Sequence, residues 1–426
     1  MSDLPLFTSP FAELRRRGRH AIVELRAPAL VLSTSHVNGG LREDLRFLVN
    51  HQSCEPVKHQ ERFELITGLG QENYHQHVCA ELALDPARTA LMGTAAAMQY
   101  LGIVTHSWAD LSVTAIVTAG VTGNAGSAGD PAHYDERNGT WERISNTEIP
   151  TPKNQTPSSA PTPTEATGST NPKSKVENQK SPGTHNGTIN TILLFSSPLS
   201  PSALTRAVMT MTEAKTSGLL ELAIGSKSSR RPATGTGTDQ FAIAAPRDGG
   251  IPRTWTGKHT KAGELIGRAV REATLEALRW QNGLEPSYTR SLFHALGRFG
   301  LTEESFKLAQ ESLLPERSYQ LLKANWNPVI FEPQLATAAF AFAAVLDRVL
   351  CGTIGPASAR ESLIHQAALM SAGLATQPGN FATFRHELIP HLPVDLGYAP
   401  EQLLPAAVAL ANRAIALGWQ RKWTSA

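Results

Sequence analysis

A segment in the middle of the chain has a composition that cannot build a packed core. Residues 145–186 are rich in Pro, Thr, Ser, Asn and Lys and nearly empty of large apolar residues, as in TPKNQTPSSAPTPTEATGSTNPKSK. Such a segment buries too little surface to offset the entropy lost on ordering, so we predict a disordered insertion. Well-patterned sequence lies on both sides of it. We therefore expect one domain that carries a long surface loop, rather than a boundary between two domains.

Strand and helix patterns occur on both sides of the insertion. The apolar spacing predicts strands within residues 21–33, 89–119, 188–196 and 241–245, and helices over residues 72–84, 200–223 and 259–281. Ser200 followed by Pro201 is typical of a helix N-terminus. This mixture predicts an α/β or α+β fold, in which a mixed β-sheet packs against helices.

Strand patterns end near Leu284. Helical patterns follow over residues 301–313, 335–350, 357–374 and 401–418. We therefore predict a domain of residues 1–283 and an all-α C-terminal extension of residues 284–426. The most apolar stretch, residues 336–350, is short for a bilayer and contains Asp347 and Arg348, so we interpret it as a buried helix.

Composition and charge exclude several classes of function. The chain has 39 Lys and Arg residues against 37 Asp and Glu residues, and its formal net charge is +2. This balance gives no electrostatic reason to expect nucleic acid or an anionic membrane as a partner. Cys54, Cys79 and Cys351 are too scattered for a disulfide framework or a CxxC metal site. The N-terminus shows no signal peptide, so we expect a cytoplasmic protein without membrane insertion.

The segment STSHVNGG (33–40) follows an apolar strand and carries polar groups suited to catalysis. His36 could act as a general base, while Asn38 and the amides around the two glycines could donate to an oxyanion. The alternative is a polar turn whose side chains bond the backbone.

Two glycine-rich loops offer backbone amides and hydroxyls. They are TAGVTGNAGSAGD (118–130) and ATGTGTDQ (233–240). Neither contains GxGxxG or precedes the Lys-Ser/Thr of a phosphate-binding loop, so nucleotide binding is weakly supported. Loops of this kind could lie flat against a large ligand. A tight connection and a plain turn are the respective alternatives.

The helix predicted over residues 200–223 has Thr212, Glu213 and Thr216 on one side, beside Lys215. A threonine-rich face is unusual towards solvent, so we predict that this face lines a cleft. A solvated Glu–Lys pair is the alternative.

A divalent metal could activate water for hydrolysis at such a site. The candidate ligands are His36, His106, Asp110, Asp130 and Asp239. No compact ligand spacing links them, so we do not favour a metal, and we predict no required cofactor. A serine nucleophile at Ser33 or Ser35 lacks the GxSxG context.

Six segments together resemble the adenosylcobinamide amidohydrolase family. They are STSHVNGG (33–40), VTAGVTGNAGSAGDPA (117–132), GTINTILLFSSPLS (187–200), MTEAKTSGLLEL (211–222), ATGTGTDQ (233–240) and GKHTKAGELIGRAV (257–270). Their order and separation match the family, and the insertion falls where the family varies. The resemblance covers about residues 1–283, and the extension goes beyond the typical domain.

The resemblance implies hydrolysis of the amide that joins the aminopropanol arm to the corrin ring of adenosylcobinamide, a cobalt corrinoid. The product is adenosylcobyric acid, which re-enters cobamide synthesis in corrinoid salvage. The positions that match the family are His36, Asn38, Thr122, Asn124, Asp130, Asn190, Glu213, Lys215, Thr236, Thr238 and Asp239. The roles are our own inference: His36, Asn38, Glu213 and Asp239 as catalytic residues, and the other matching positions as substrate-binding residues.

In our working hypothesis, His36 or Glu213 activates water. Asn38 and the glycine-loop amides stabilise the oxyanion, and Asp239 orients a partner. A broad, mostly neutral site lined by small polar groups would suit an amide-rich corrin.

The alternative function is a non-catalytic corrinoid carrier, or a scaffold of a salvage complex. For either function, the helical extension could bind a second copy of the chain, dock another salvage enzyme or pack over the corrinoid site. In a carrier or scaffold it would be the docking surface. A nucleotide-dependent kinase is disfavoured because the phosphate-binding lysine motif is absent.

Overall fold

The computed structural model describes residues 5–53, 59–132, 134–138, 140–144, 187–395, 397 and 399–423. The predicted disordered insertion, residues 145–186, lies outside the described residues. Residues 1–128 and 185–426 form one compact unit, and residues 129–184 form a second unit. The described part of the second unit is an antiparallel hairpin.

The strands are β1 (Phe7–Thr8), β2 (Ala12–Arg17), β3 (His20–Leu25), β4 (Ala29–Ser33), β5 (Gly40–Arg42), β6 (Phe47–Gln52), β7 (Thr89–Thr94), β8 (Gly102–Trp108), β9 (Leu111–Ala119), β10 (Ala125–Gly126), β11 (Tyr134–Arg137), β12 (Thr140–Arg143), β13 (Ile189–Phe195), β14 (Gly235–Thr236) and β15 (Gln240–Pro246). The helices are α1 (His59–Leu82), α2 (Pro201–Glu221), α3 (Lys261–Asn282), α4 (Pro286–Thr289), α5 (Leu292–Leu296), α6 (Glu303–Leu313), α7 (Glu316–Ala324), α8 (Trp326–Ile330), α9 (Pro333–Leu350), α10 (Pro356–Ala375), α11 (Phe381–Leu388) and α12 (Pro400–Arg421).

Two mixed sheets form the centre of the larger unit. The first has the order β1-β2-β3-β6-β7, and the second has the order β5-β4-β15-β13-β9-β8. Each sheet is antiparallel except for one parallel pair of strands. This pair is β6 with β7 in the first sheet and β13 with β15 in the second. The fold is α+β, and the predicted class of mixed sheet packed with helices is confirmed.

The two sheets pack face to face because successive side chains of each strand point to opposite faces of its sheet, and apolar residues occupy both faces. In β3, Ala21 and Val23 belong to the core between the sheets, whereas Ile22 packs on the opposite face against α1. In β13, Ile192 faces the first sheet and Leu193 faces α2 and α3. The resulting order of layers is α1, first sheet, second sheet, then α2 with α3.

The helices α4 to α12 have a core of their own, which contains Phe306, Phe342, Phe384 and Trp419. Within the described residues after α3 there is no strand, in agreement with the predicted helical extension. Among the described helices, α9 is long and apolar enough to cross a membrane by length and composition alone, but seven of its residues are buried in this core. The boundary at residues 283 and 284 stays a prediction.

The packing of β8 on α3 gives a stability prediction. A Cβ at Gly102 would lie 2.1 Å from the Ala273 carbonyl oxygen of α3, so Gly102→Ala must push strand and helix apart. We expect it to lower the free energy of unfolding by about 1–3 kcal/mol in urea titrations. The control is Gly267→Ala, also on α3, where a Cβ meets no atom within 4 Å. That variant should be neutral or gain up to about 1 kcal/mol, and equal effects of the two substitutions would contradict the packing argument.

Candidate active site

A cavity of about 310 Å³ lies where the two sheets end together. Its walls come from the loop after β4, the C-terminal ends of β6 and β7, the residues before β13 and β15, and α1. Loops that follow strand ends are aimed by the rigid sheet behind them, which makes such an edge suitable for a reactive site.

Three of the predicted site residues line this cavity: His36, Asn124 and Thr238. Asn124 Nδ2 donates to the Gly187 carbonyl (2.9 Å) and to Thr238 Oγ1 (3.1 Å). Thr238 Oγ1 also lies 2.6 Å from Thr188 Oγ1. The two glycine-rich loops therefore meet at the cavity and contribute hydroxyl and amide side chains to its wall.

Asn38 holds the loop that carries His36. Its backbone is left-handed (φ 61°), which asparagine tolerates better than most residues. Its Nδ2 donates both hydrogens, to the carbonyls of Pro86 (2.7 Å) and Thr89 (2.8 Å), and its Oδ1 accepts from Arg42 (3.1 Å). The side chain is thus engaged within the fold, and its predicted role as an oxyanion donor stays a prediction.

Asp239 organises the second glycine-rich loop. Its carboxylate forms an ion pair with Lys215 and accepts from the Ile189 amide (3.1 Å), the Thr236 amide (3.2 Å) and Thr236 Oγ1 (2.5 Å). A Cβ at Gly235 would lie 2.4 Å from Asp239 Oδ2, so a larger residue there would have to displace this ion pair. Lys215, Thr236 and Asp239 lie together, but they are not among the residues that line the cavity.

Asn190 is buried between the sheets rather than exposed in the cavity. Its Nδ2 donates to Asn50 Oδ1 (2.9 Å) and to the Gly93 carbonyl (3.0 Å), and Asn50 Nδ2 donates to Thr118 Oγ1 (2.8 Å). Asn50 belongs to the first sheet, whereas Thr118 and Asn190 belong to the second. These bonds therefore tie the sheets together directly behind the cavity wall at Gly93.

The remaining predicted residues lie elsewhere. Glu213 is half-exposed on α2 and pairs with Lys258 (2.7 Å), whereas its neighbour Lys215 pairs with Asp239. Thr122 accepts from Asn282 Nδ2 (2.7 Å) and lines a different cavity, of about 530 Å³. Asp130 belongs to the second unit and is described with that unit alone.

Among the described residues, no three His, Cys, Asp or Glu side chains are grouped so as to hold a metal ion. His106 bonds Glu272 (2.8 Å), and Asp110 pairs with Arg253 (2.7 Å). Both lie by the β8–β9 hairpin, at the other end of β9 from the cavity. The structure does not bring these two candidate ligands to His36.

The sequence analysis did not identify four polar side chains that are hydrogen-bonded in series, starting at the cavity wall. Tyr74 Oη lies 2.6 Å from His51 Nε2, His51 Nδ1 lies 3.1 Å from His20 Nδ1, and His20 Nε2 lies 3.3 Å from Glu81 Oε1. We call Tyr74, His51, His20 and Glu81 the buried series. Tyr74 and His51 line the cavity, and Glu81 is half-exposed at the far end.

The residues of the buried series come from three separate elements, β3, β6 and α1. No short sequence motif therefore predicts that they lie together. Only the sequence spacing could have indicated part of the series: Tyr74 and Glu81 are seven residues apart, which places them on one face of a helix. His20 and His51 are polar residues within strands, directly opposite each other in the register of β3 with β6.

Burial controls the protonation of the two histidines. Desolvation, together with smaller effects of the neighbouring His20, Arg19 and His77, lowers the pKa of His51 to about 3. Desolvation also lowers the pKa of His20, against the raising effect of Glu81. Both imidazoles are therefore neutral at neutral pH, with one N–H each.

The His51 pKa predicts how stability depends on pH. As the pH falls below 6.5, the unfolded chain protonates this imidazole before the folded chain does, so folding loses stability down to about pH 3. Between pH 7 and pH 5 this loss is about 2 kcal/mol. We expect His51→Gln to lose correspondingly less free energy of unfolding over that range in urea titrations. The same pH dependence in both proteins would contradict the assignment.

Two comparisons with known proteins bear on the family of this chain. The family described as adenosylcobinamide amidohydrolase matches residues 8–286. An uncharacterized protein of Methanocaldococcus jannaschii is 29% identical over 268 residues, which cover 62% of this chain and 87% of that protein. The matched region includes both sheets and every residue that lines the cavity. The chain therefore belongs to the adenosylcobinamide amidohydrolase family.

Proposed function

We propose that the protein hydrolyses the amide between the aminopropanol arm and the corrin ring of adenosylcobinamide, which yields adenosylcobyric acid and aminopropanol. The family is one of amidohydrolases, which supports a hydrolase in general. The observation that carries the proposal is the cavity. It gathers His36, Asn124 and Thr238, from three separate family-like segments, at one edge of the fold.

The cavity volume indicates which part of the substrate enters. Pockets for drug-sized ligands measure roughly 300–1,000 Å³, and this cavity of about 310 Å³ is at the lower limit. A corrin ring with its peripheral amides is much larger than such a ligand. We propose that the arm enters with its amide, while the ring stays at the mouth against the glycine-rich loops.

Amide hydrolysis needs a base for water, donors for the oxyanion and an acid for the leaving nitrogen. The cavity offers the imidazoles of His36, His51 and His75, and the hydroxyls of Thr188 and Thr238. We propose that His36 contacts the substrate. Asn38 and Asp239 then act by holding the two loops in place, since their polar atoms are engaged there.

Three further expectations are part of the proposal. The reaction requires no added metal, so thorough chelation should leave turnover unchanged. The protein works in the cytoplasm, in corrinoid salvage. The helical extension docks a second copy or another salvage enzyme, and the exposed Leu308 and Trp423 on it are candidate contacts.

The direct test incubates the full chain with adenosylcobinamide and measures released aminopropanol and the corrin acid by mass spectrometry. We expect multiple turnovers. Tight binding of the corrinoid without release would favour the carrier over the enzyme.

Substitutions in the cavity give a sharper prediction. His36→Ala removes an imidazole from the cavity and should lower kcat/KM at least about tenfold. Thr238→Val removes one hydroxyl donor and should lower kcat/KM by about tenfold or less. The control is Lys307→Ala on the exposed face of α6, which should match wild type. Wild-type kcat/KM in both cavity variants would contradict the site.

A further inference from the structure

The buried series connects the cavity to solvent through hydrogen bonds between side chains alone. Tyr74, His51 and His20 are all buried, whereas half of the Glu81 side chain is exposed. The His20 and His51 rings are nearly parallel, 17° apart. A tyrosine that lines the cavity is thereby joined, through its hydroxyl, to a surface carboxylate.

The chemistry of the groups fixes the direction of every bond in the series. An ionised carboxylate only accepts, so the hydrogen of neutral His20 must be on Nε2, which leaves its Nδ1 without one. His51 must then donate from Nδ1 to His20 Nδ1. His51 Nε2 is consequently bare and accepts the hydroxyl hydrogen of Tyr74. Glu81 therefore sets the tautomers of both imidazoles from the surface.

We propose that the buried series is a proton relay that makes Tyr74 the catalytic residue for water activation, an inference that rests on the proposed hydrolysis. As a water molecule attacks the amide carbon, its proton moves to Tyr74 Oη. The Tyr74 proton moves to His51 Nε2, and the Nδ1 proton of His51 moves to His20 Nδ1. When the C–N bond breaks, the same steps run in reverse and Tyr74 delivers the proton to the leaving nitrogen.

The second imidazole has a physical purpose in this scheme. His51 is almost completely buried, and a positive charge there is strongly disfavoured. In the relay His51 gains one proton and loses another, so it stays neutral. The charge settles on His20, beside the Glu81 carboxylate. Tyr74 touches the substrate, whereas His20 and Glu81 are positioning residues.

Other charged groups around the series define its electrostatics. Arg17 and Arg19, beside β3, disfavour a proton on His20, and Arg19 and His77 disfavour one on His51. Glu81 acts in the opposite sense on His20. Removing the Glu81 charge should therefore move the protonation of His20 to lower pH.

The tautomers can be tested without substrate. In ¹⁵N NMR spectra of the imidazoles of the free, full-length protein, we expect His20 with its hydrogen on Nε2 and His51 with its hydrogen on Nδ1. A His51 hydrogen on Nε2 would overturn the relay, whatever the protein hydrolyses.

Kinetics on adenosylcobinamide test the role in catalysis. Tyr74→Phe keeps the ring and removes the relay oxygen, so kcat should fall about 100-fold or more, with KM within about threefold. Tyr134→Phe, an exposed tyrosine of the hairpin, is the matched control and should keep wild-type kcat. Folding of both variants is checked by their unfolding midpoints.

Glu81→Gln provides a second test at a half-exposed position that tolerates substitution. The amide oxygen can still accept from His20, but the charge is lost, so kcat should fall about tenfold and the acid limb of its pH profile should move to lower pH. A merely structural role for Glu81 would not move that limb.

Release of aminopropanol by wild type, Tyr74→Phe and Glu81→Gln at similar kcat would overturn the relay and leave the hydrolysis established. No release by wild type would refute the hydrolysis, and the water-activating role with it.

Discussion

Two buried asparagines join the two sheets, and the candidate site depends on this junction. Asn190 donates to Asn50, which donates to Thr118, and Asn190 also bonds the Gly93 carbonyl in the cavity wall. Leaving a buried amide without its hydrogen-bond partner lowers the stability of the fold by roughly 1–3 kcal/mol. These bonds therefore hold the two sheets in one relative position at this end. Asn50 and His51 are adjacent in β6 and face opposite sides of the first sheet. The contact that aligns the sheets therefore also places His51 under α1.

Much of the fold could be predicted from the sequence because apolar alternation and capping are local properties. The strands at 89–119 and 189–195 and the helix that begins after Ser200 are confirmed. The strand β6 was missed because Asn50, His51 and Gln52 interrupt its apolar pattern. The first half of α1 was missed because its backbone is non-helical at Gly70 (φ 74°) and its apolar residues do not form one continuous face.

Only part of the site could be predicted from the sequence, because some of its contacts depend on which strands pair and on how a helix packs. His36, Asn124 and Thr238 are on loops at strand ends, a position that sequence pattern can recognise, and they meet in the cavity. Glu213 was selected from a helical face, and its Lys258 pair shows that the face carries a solvated ion pair. The buried series could not be found in this way. Its coupling arises from the pairing of β3 with β6 and the packing of α1 above them, neither of which is encoded locally.

The bond from Asn124 to the Gly187 carbonyl has a consequence for how this chain can vary. Residues 124 and 187 are the two ends of the excursion that contains the insertion, and the bond closes that excursion at its base, beside the cavity. The ends are therefore fixed independently of how many residues lie between them. Doubling the length of a closed loop costs only about 0.6 kcal/mol, so this segment can be lengthened, shortened or replaced while the cavity keeps its shape.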